Sequence, residues 1–192
     1  MKVIAVIFFY FCFVNGISFT WSNDSLPLAR GFYYNGLTMG NAIYYGNGYD
    51  SKGITSRIEI YDGTWSVHQA SSNRTSQSAS VYVNGYGFFA GMDTKGVPTV
   101  DIYNSVTTEW SKEYVPNNLI LATSVGKSAV FADLDDSIAF YSPEKKSWDT
   151  RFRPSEFLWK TGAMASAGNR YVVLAGGFTD SEGEGSLKIR YF

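Results

Sequence analysis

The sequence predicts an all-β protein made of four similar units, each with four antiparallel strands. A segment of about 43 residues recurs along the chain, and its glycine-position residues Gly48, Gly91, Asp133 and Gly177 lie 43, 42 and 44 residues apart. Aromatic residues make up 17% of the chain and 19 residues are glycine, a composition typical of short strands joined by tight turns. So regular a period indicates a repeat architecture.

The second unit shows the strand pattern most clearly. Strands are predicted at 77–83 and 86–90, because Asn84-Gly85 between them accepts the positive φ of a type I′ turn. A third strand at 99–103 alternates in polarity, and a fourth surrounds Trp110. The other units fit this frame, with second strands at 42–46, 128–132 and 171–175, third strands at 57–61, 137–141 and 187–190, and fourth strands around Trp65 and Trp148. Repeated four-stranded antiparallel units are the blades of a β-propeller.

The first 18 residues predict a secretory signal peptide. Lys2 precedes a twelve-residue apolar run from Val3 to Val14, and small residues follow it. As a helix this run would reach only about 18 Å, against roughly 30 Å of membrane hydrocarbon. We therefore expect a secreted protein with no membrane span after cleavage, whose propeller domain comprises residues 19–192.

Cleavage of the signal peptide would also determine which cysteine and glycosylation sites the mature chain contains. Cys12 is the only cysteine and lies in the predicted signal, so the domain would depend on its core rather than on disulfides. The sequons at Asn23 and Asn73 are predicted glycosylation sites in a eukaryotic host. Lys and Arg number 16 against 17 Asp and Glu, and this balance argues against nucleic acid as a partner.

Several motifs in register resemble the kelch family of β-propellers. They are Arg74, Ala90-Gly91, Asp101-Ile102-Tyr103 and Trp110 in the second unit, Tyr141 and Trp148 in the third, and Gly176-Gly177 in the fourth. The sequence departs from the pattern at Ala132-Asp133, in the short spacing from Tyr61 to Trp65, and in a last unit without Trp. The resemblance implies blades at 28–67, 72–113, 120–151 and 160–192. The repeated Tyr and Trp residues are expected to pack one sheet on the next.

The two ends of the chain leave the number of blades open. Trp21 precedes Trp65 by 44 residues, so residues 19–22 are predicted to form a fourth strand with no blade before it. The last unit, in turn, has three predicted strands and lacks a fourth. One interpretation is a closed four-bladed ring sealed by the N-terminal strand. The other is part of a longer propeller, since kelch propellers usually have more blades.

A catalytic function has little support in the sequence. His68 is the only histidine, and its place after Trp65 predicts a solvated connecting segment. With no cysteine in the mature chain, a His/Cys metal site is not expected, and no cofactor is predicted. The acidic stretches 133–136 and 180–184 match no EF-hand loop and are expected to be solvated turns. The resemblance also admits a carbohydrate-active enzyme that uses Arg and Glu in a central cavity, for which the candidate residues are Arg30, Arg74, Arg151 and Arg153.

The sequence supports a binding function better than a catalytic one, because loops on a rigid scaffold are the usual place for recognition. In a four-stranded meander the second-to-third loops share a face with the links between blades, and ordinary turn chemistry remains the alternative explanation of their sequence. The candidate binding residues are Tyr49, Asp50, Lys52, Met92, Asp93, Lys95, Asp180 and Glu182. Both sequons fall in links on this face, so glycans would direct a partner to the gaps between them or to the opposite face.

The predicted function is that of a secreted, non-catalytic scaffold for a protein or carbohydrate partner. A carbohydrate-active kelch-like enzyme, and a fragment of a larger propeller without independent activity, are the alternative interpretations. A deep central pocket with convergent Arg and Glu would favour the enzyme, whereas a flat rim would favour binding.

Overall fold

The computed structural model describes residues 35–46, 48–50, 52–71, 73, 78–115, 117, 119–133, 137–152, 162–175 and 189–191. Within these ranges every regular element is a β-strand. No helix there is long and apolar enough to cross a membrane. The predicted signal peptide at 1–18 and the predicted closing strand at 19–22 lie outside the described residues.

The strands form antiparallel sheets that follow one another along the chain. The first sheet contains β1 (Asn35–Met39) and β2 (Ala42–Gly46), then, after a short hairpin of β3 (Tyr49–Asp50) and β4 (Gly53–Ile54), β5 (Arg57–Tyr61) and β6 (Trp65–Gln69). The second contains β7 (Ala79–Val83), β8 (Tyr86–Met92), β9 (Pro98–Asn104) and β10 (Glu109–Tyr114). The third contains β11 (Leu119–Val125), β12 (Ser128–Asp133), β13 (Ser137–Ser142) and β14 (Ser147–Phe152), and the fourth contains β15 (Ala163–Ala167), β16 (Tyr171–Ala175) and β17 (Ile189–Tyr191).

This topology confirms the prediction of an all-β chain of antiparallel sheets. In each sheet the strands pair in sequence order, apart from the short β3–β4 hairpin, which the sequence did not predict. The predicted Asn84-Gly85 turn is also confirmed, because the two residues have φ angles of 49° and 85°. The β9–β10 and β13–β14 turns end on Thr108 and Lys146, whose φ angles of 59° and 48° show that the two turns are built alike.

The hydrophobic core is divided into layers between consecutive sheets. Phe89 packs with Tyr44 and Ile58 of the first sheet. Phe88 points to the other side of β8 and packs with Phe131 of the third sheet. A further cluster joins the third sheet to the fourth, and its buried members are Val130, Ala132, Ile138, Val172 and Leu174. Both sides of the second and third sheets are therefore buried.

The first strands of the sheets lie side by side. β7 contacts both β1 and β11, and β11 also contacts β15. A hydrogen bond at 2.9 Å from Ser80 Oγ to the Gly36 carbonyl joins β7 to β1. The fourth strands of the first three sheets, β6, β10 and β14, consequently lie at the outer edges, where each can reach the next sheet.

Candidate functional site

The rim predicted from the sequence is occupied by self-contained loops. Asp93 Oδ1 accepts hydrogen bonds from the backbone N–H groups of Lys95 at 2.8 Å and Val97 at 2.9 Å. These hydrogen bonds, above all the one from Val97, lower the pKa of Asp93 below its ordinary value. Asp93 therefore shapes its own loop, with Lys95 exposed beside it and Met92 half-buried.

The remaining predicted rim residues are spread over other sheets. Tyr49 and Asp50 form β3, which pairs with β4, and Lys52 is exposed at the tip of that hairpin. Asp180 and Glu182 lie outside the described residues. Of the two sequons, Asn73 is exposed and Asn23 lies outside the described residues.

The sequence-based prediction that His68 is a solvated loop residue is wrong. His68 lies in β6, is half-buried, and stacks on Trp110 of the second sheet with ring centroids 4.0 Å apart and planes 5° from parallel. Burial lowers the pKa of His68, and the charge of Asp101 only partly opposes this shift. The prediction failed because Trp110, which covers the imidazole, is 42 residues away in the sequence.

The lowered pKa of His68 predicts an acid-dependent loss of stability. Above its ordinary pKa of 6.5 the imidazole is neutral in the folded and unfolded chains. Below pH 6.5 the unfolded chain takes up the proton first, so the free energy of unfolding decreases as the pH falls. Urea denaturation at pH 7.5 and pH 5.5 measures this decrease. His68→Phe retains an aromatic ring over Trp110 and should weaken the pH dependence in this range; an unchanged slope would contradict the assignment.

Glu113 makes the equivalent contact at the next junction. It lies three residues after Trp110, as His68 lies three residues after Trp65. Its two oxygens accept hydrogen bonds from third-sheet donors, namely the Tyr141 hydroxyl at 3.0 Å and Trp148 Nε1 at 2.8 Å. Burial, together with this bond, raises the pKa of Tyr141. Glu113 is thus a carboxylate fixed at the outer edge of the junction between two sheets.

A groove of about 480 Å³ opens beside this carboxylate. It is lined by Tyr86, Ile102, Asn104, Thr107, Glu109, Trp110, Ser111, Lys112 and Glu113 of the second sheet, and by Tyr141 and Lys146 of the third. Two glutamates and two lysines balance its charge, and three aromatic residues are among those that line it. The sequence did not predict this groove, because the fourth strands stand out in it only as positions of packing Trp residues.

The groove runs along β10, from Glu109 at the end of the second sheet away from the Asp93 loop to Glu113, which pairs with Val100. Ser105 donates hydrogen bonds from its backbone N–H and its hydroxyl to the Gly85 carbonyl, both at 2.8 Å. These bonds join the β7–β8 and β9–β10 turns at one end of the second sheet, next to the groove residues Tyr86 and Asn104. Because β8 and β9 run between that end and the Asp93 loop, the part of the groove beside Tyr86 and Asn104 lies at the opposite end of the second sheet from the Asp93 loop.

A smaller groove of about 240 Å³ recurs at the equivalent place on the third sheet. Its lining residues Ser128, Phe140, Ser142, Lys145, Ser147, Asp149 and Arg151 correspond in the repeat to Tyr86, Ile102, Asn104, Thr107, Glu109, Ser111 and Glu113. Arg151 stands where the larger groove has Glu113. It is exposed, forms an ion pair with Asp149 at 3.0 Å and lies over the Phe140 ring. The two grooves thus share a position but differ in charge.

Asp133 also corrects a prediction, because it is buried rather than part of a solvated turn. Its Oδ1 accepts the Ser137 backbone N–H at 2.8 Å, and its Oδ2 accepts the Ser137 hydroxyl and Asn117 Nδ2. Asn117 also donates to Ser137 Oγ at 2.7 Å. The carboxylate replaces the glycine of the repeat and ties the β12–β13 connection to the link before the third sheet. Residues 134–136 lie outside the described residues.

Of the four arginines that a carbohydrate-active enzyme could use, the structure describes one. Arg151 is at the outer edge of the third sheet, whereas Arg30, Arg74 and Arg153 lie outside the described residues. Across the ranges that the structure describes, no group of three or more His, Cys, Asp or Glu side chains is arranged to hold a metal ion.

The comparisons with known proteins concern the fold. Neither protein-family models nor curated protein sequences match this chain. Among solved structures, the chain is similar to YjhT, with a TM-score of 0.63 and 14% sequence identity over 87% of this chain. The chain spans 66% of the length of YjhT. At this level of identity the similarity supports the all-β architecture and carries no information about ligands.

Proposed function

We propose that this protein is a secreted, kelch-like propeller that acts as a non-catalytic binding scaffold for a protein or carbohydrate partner. The face-to-face packing of consecutive sheets, with their first strands side by side, supports the propeller. The motifs described above support the kelch relationship. Secretion and glycosylation rest on the N-terminal sequence and on the sequons, of which Asn73 is exposed.

The observation that carries the binding function is the groove beside Glu113. Its volume lies within the range of about 300–1,000 Å³ that is usual for ligand sites. Tyr86 is half-buried and offers an aromatic side chain at the groove, and Glu109 and Lys146 offer charges at the rim. Aromatic surface beside fixed polar groups is the usual composition of a recognition site.

The geometry of Glu113 favours binding over catalysis. Both of its oxygens are held by donors from the third sheet, so the carboxylate is a fixed acceptor that can receive further hydrogen bonds from a ligand. A general acid or base must exchange a proton with the substrate, and that exchange would break the contacts that join the two sheets. Glu113 is therefore suited to orient a ligand.

The groove is tested by reversing its rim charges. The purified chain is screened against printed oligosaccharides and a displayed peptide library, and affinities for the recovered ligands are measured by titration calorimetry. Glu109→Lys and Lys146→Glu are each expected to weaken binding about tenfold, or about 1.4 kcal/mol. Both side chains are exposed, so the fold should be unaffected.

Lys95→Glu is the matched control, because it reverses an exposed charge in the Asp93 loop, at the other end of the second sheet from Glu109. Binding that is lost in Lys95→Glu and retained in the two groove variants would place the site on the rim that the sequence predicted. A purified chain that binds nothing in either library would contradict the scaffold itself.

A further inference from the structure

The outer edge of the second sheet follows the groove beside Glu113. The strands of this sheet lie in the order β10, β9, β8, β7, and among the strands that the structure describes β10 pairs only with β9. Five consecutive residues of β10, from Glu109 to Glu113, line the groove. Since side chains alternate across a strand, five consecutive lining residues show that the backbone edge of β10 forms part of the groove wall.

The register of β10 shows which of its backbone groups face outward. The Val115 N–H donates a hydrogen bond to the Pro98 carbonyl at 3.2 Å, and the pairing of β10 with β9 continues from there without a shift. In an antiparallel pair, residues that are hydrogen-bonded to the partner strand alternate with residues whose N–H and C=O groups point away from it. Trp110, Lys112 and Tyr114 therefore direct their N–H and C=O groups to the outer edge.

This edge is accessible to a ligand. Glu109, Ser111 and Lys112 are exposed, and Tyr114 is 70% exposed. A lysine in the middle of an edge strand can discourage pairing with another strand. Here, however, Lys112 Nζ lies over the Tyr114 ring, 5.2 Å from its centroid, and thus on the side of the strand opposite Glu113. The exposed edge of β10 is a template on which a further strand can form.

The repeat distinguishes this edge from its equivalents. β6 and β14 also lie at the outer edges of their sheets. Next to β6, His68 stacks on Trp110 and fills the junction with the second sheet. Next to β14, the groove has about 240 Å³ rather than about 480 Å³, and an ion pair between Arg151 and Asp149 lies in it. Of the three strands, β10 combines an exposed edge with the larger groove.

We propose that the groove binds an extended segment of a protein partner, which adds to β10 as a fifth strand of the second sheet. This inference rests on the proposed function, because it assigns a class of ligand to the same groove. Hydrogen bonds to the outward backbone groups of Trp110, Lys112 and Tyr114 would hold the segment, and its alternate side chains would reach the groove. Since neighbouring side chains on a sheet favour opposite charges, we expect a lysine or arginine of the segment beside Glu113.

Backbone methylation of peptide ligands tests the added strand. Random peptides of about twelve residues are displayed on phage and selected on the purified chain, and synthetic copies of the recovered peptides are methylated at one backbone nitrogen at a time. Only alternate N–H groups of an added strand face β10. Methylation at every second residue should therefore weaken binding more than about tenfold, and methylation at the residues between should change it less than about twofold. Binding with no such alternation would overturn the proposal.

Lys112→Pro tests the same contact from the protein side. Proline removes the outward N–H and places its ring where the added strand would lie, so peptide binding should weaken more than about tenfold. The fold should persist, because this N–H is not bonded to β9 and edge strands tolerate proline. Lys112→Ala keeps the N–H and should weaken binding by less than about threefold; equal affinities of the two variants would overturn the proposal. Circular dichroism reports folding, and if the proline variant is unfolded, the methylated peptides on the wild-type chain still decide.

The printed oligosaccharides separate this proposal from the proposed function. A chain that binds sugars but no peptides, and loses that binding in Glu109→Lys, would retain the groove as a site and overturn strand addition. Recovered peptides without enrichment of lysine or arginine would overturn the assignment of the segment's charge. Peptide binding that is lost in Lys95→Glu but retained in Glu109→Lys would contradict both proposals.

Discussion

Replacing Phe88 with alanine is expected to lower the free energy of unfolding by about 3 to 5 kcal/mol. Phe88 is fully buried at the centre of the layer between the second and third sheets. Its ring makes edge contacts with Phe131 and Tyr141, at centroid distances of 6.0 Å and 5.2 Å. The cavity left by the ring would be lined by strands of both sheets, whose backbone hydrogen bonds prevent collapse. Equilibrium denaturation in urea measures the loss.

Tyr114→Ala is the matched control for this substitution. It removes an aromatic ring from the same sheet, but Tyr114 is 70% exposed, so the change should be within about 0.5 kcal/mol. Similar losses for the two variants would mean that the layer between the sheets is not a packed core. A Phe88→Leu variant, which refills most of the volume, is expected to fall between them.

The strands could be predicted from the sequence because their signals are local. Asn84-Gly85 predicts its turn through backbone conformation alone, and the apolar alternation on either side of it predicts the paired strands. The second strand at 42–46 and the third at 57–61 agree with β2 and β5 residue for residue. Repetition strengthened each prediction, since a strand placed in one unit also placed its equivalents.

The contacts between sheets could not be predicted in this way. His68 and Glu113 occupy the same position in their units, yet one stacks on the next Trp and the other accepts its N–H group. Nothing local to either residue identifies a partner more than 30 residues away. The groove depends on the partners of Glu113, because side chains of the third sheet position the Glu113 carboxylate at its edge. In the first unit the same junction is filled by the stacked rings of His68 and Trp110.

Asp133→Ala is expected to cost about 2 to 4 kcal/mol of unfolding free energy, although the repeat has glycine in this position. The substitution leaves the buried Ser137 N–H and hydroxyl, and the Asn117 amide, without the acceptor that they share. Because the unfolded chain hydrates these donors, the full penalty falls on the folded state. Denaturation in urea measures this loss on the same scale as that of Phe88→Ala.

Asp149→Ala is the matched control, since it removes a carboxylate from the same sheet. Asp149 is exposed and pairs only with the exposed Arg151 among the contacts seen in the described ranges, so its loss should cost less than about 1 kcal/mol. Asp133→Asn keeps one acceptor oxygen for the Ser137 N–H but places an amide N–H₂ group against the donors on the other side. Its loss of unfolding free energy should therefore lie between those of Asp133→Ala and Asp149→Ala. If Asp133→Gly, which restores the residue of the repeat, proved as stable as the wild type, the carboxylate would be a tolerated departure. A loss comparable to that of Asp133→Ala would show instead that the third unit requires a carboxylate where the repeat has glycine, with Asn117 and Ser137 as its necessary hydrogen-bond partners.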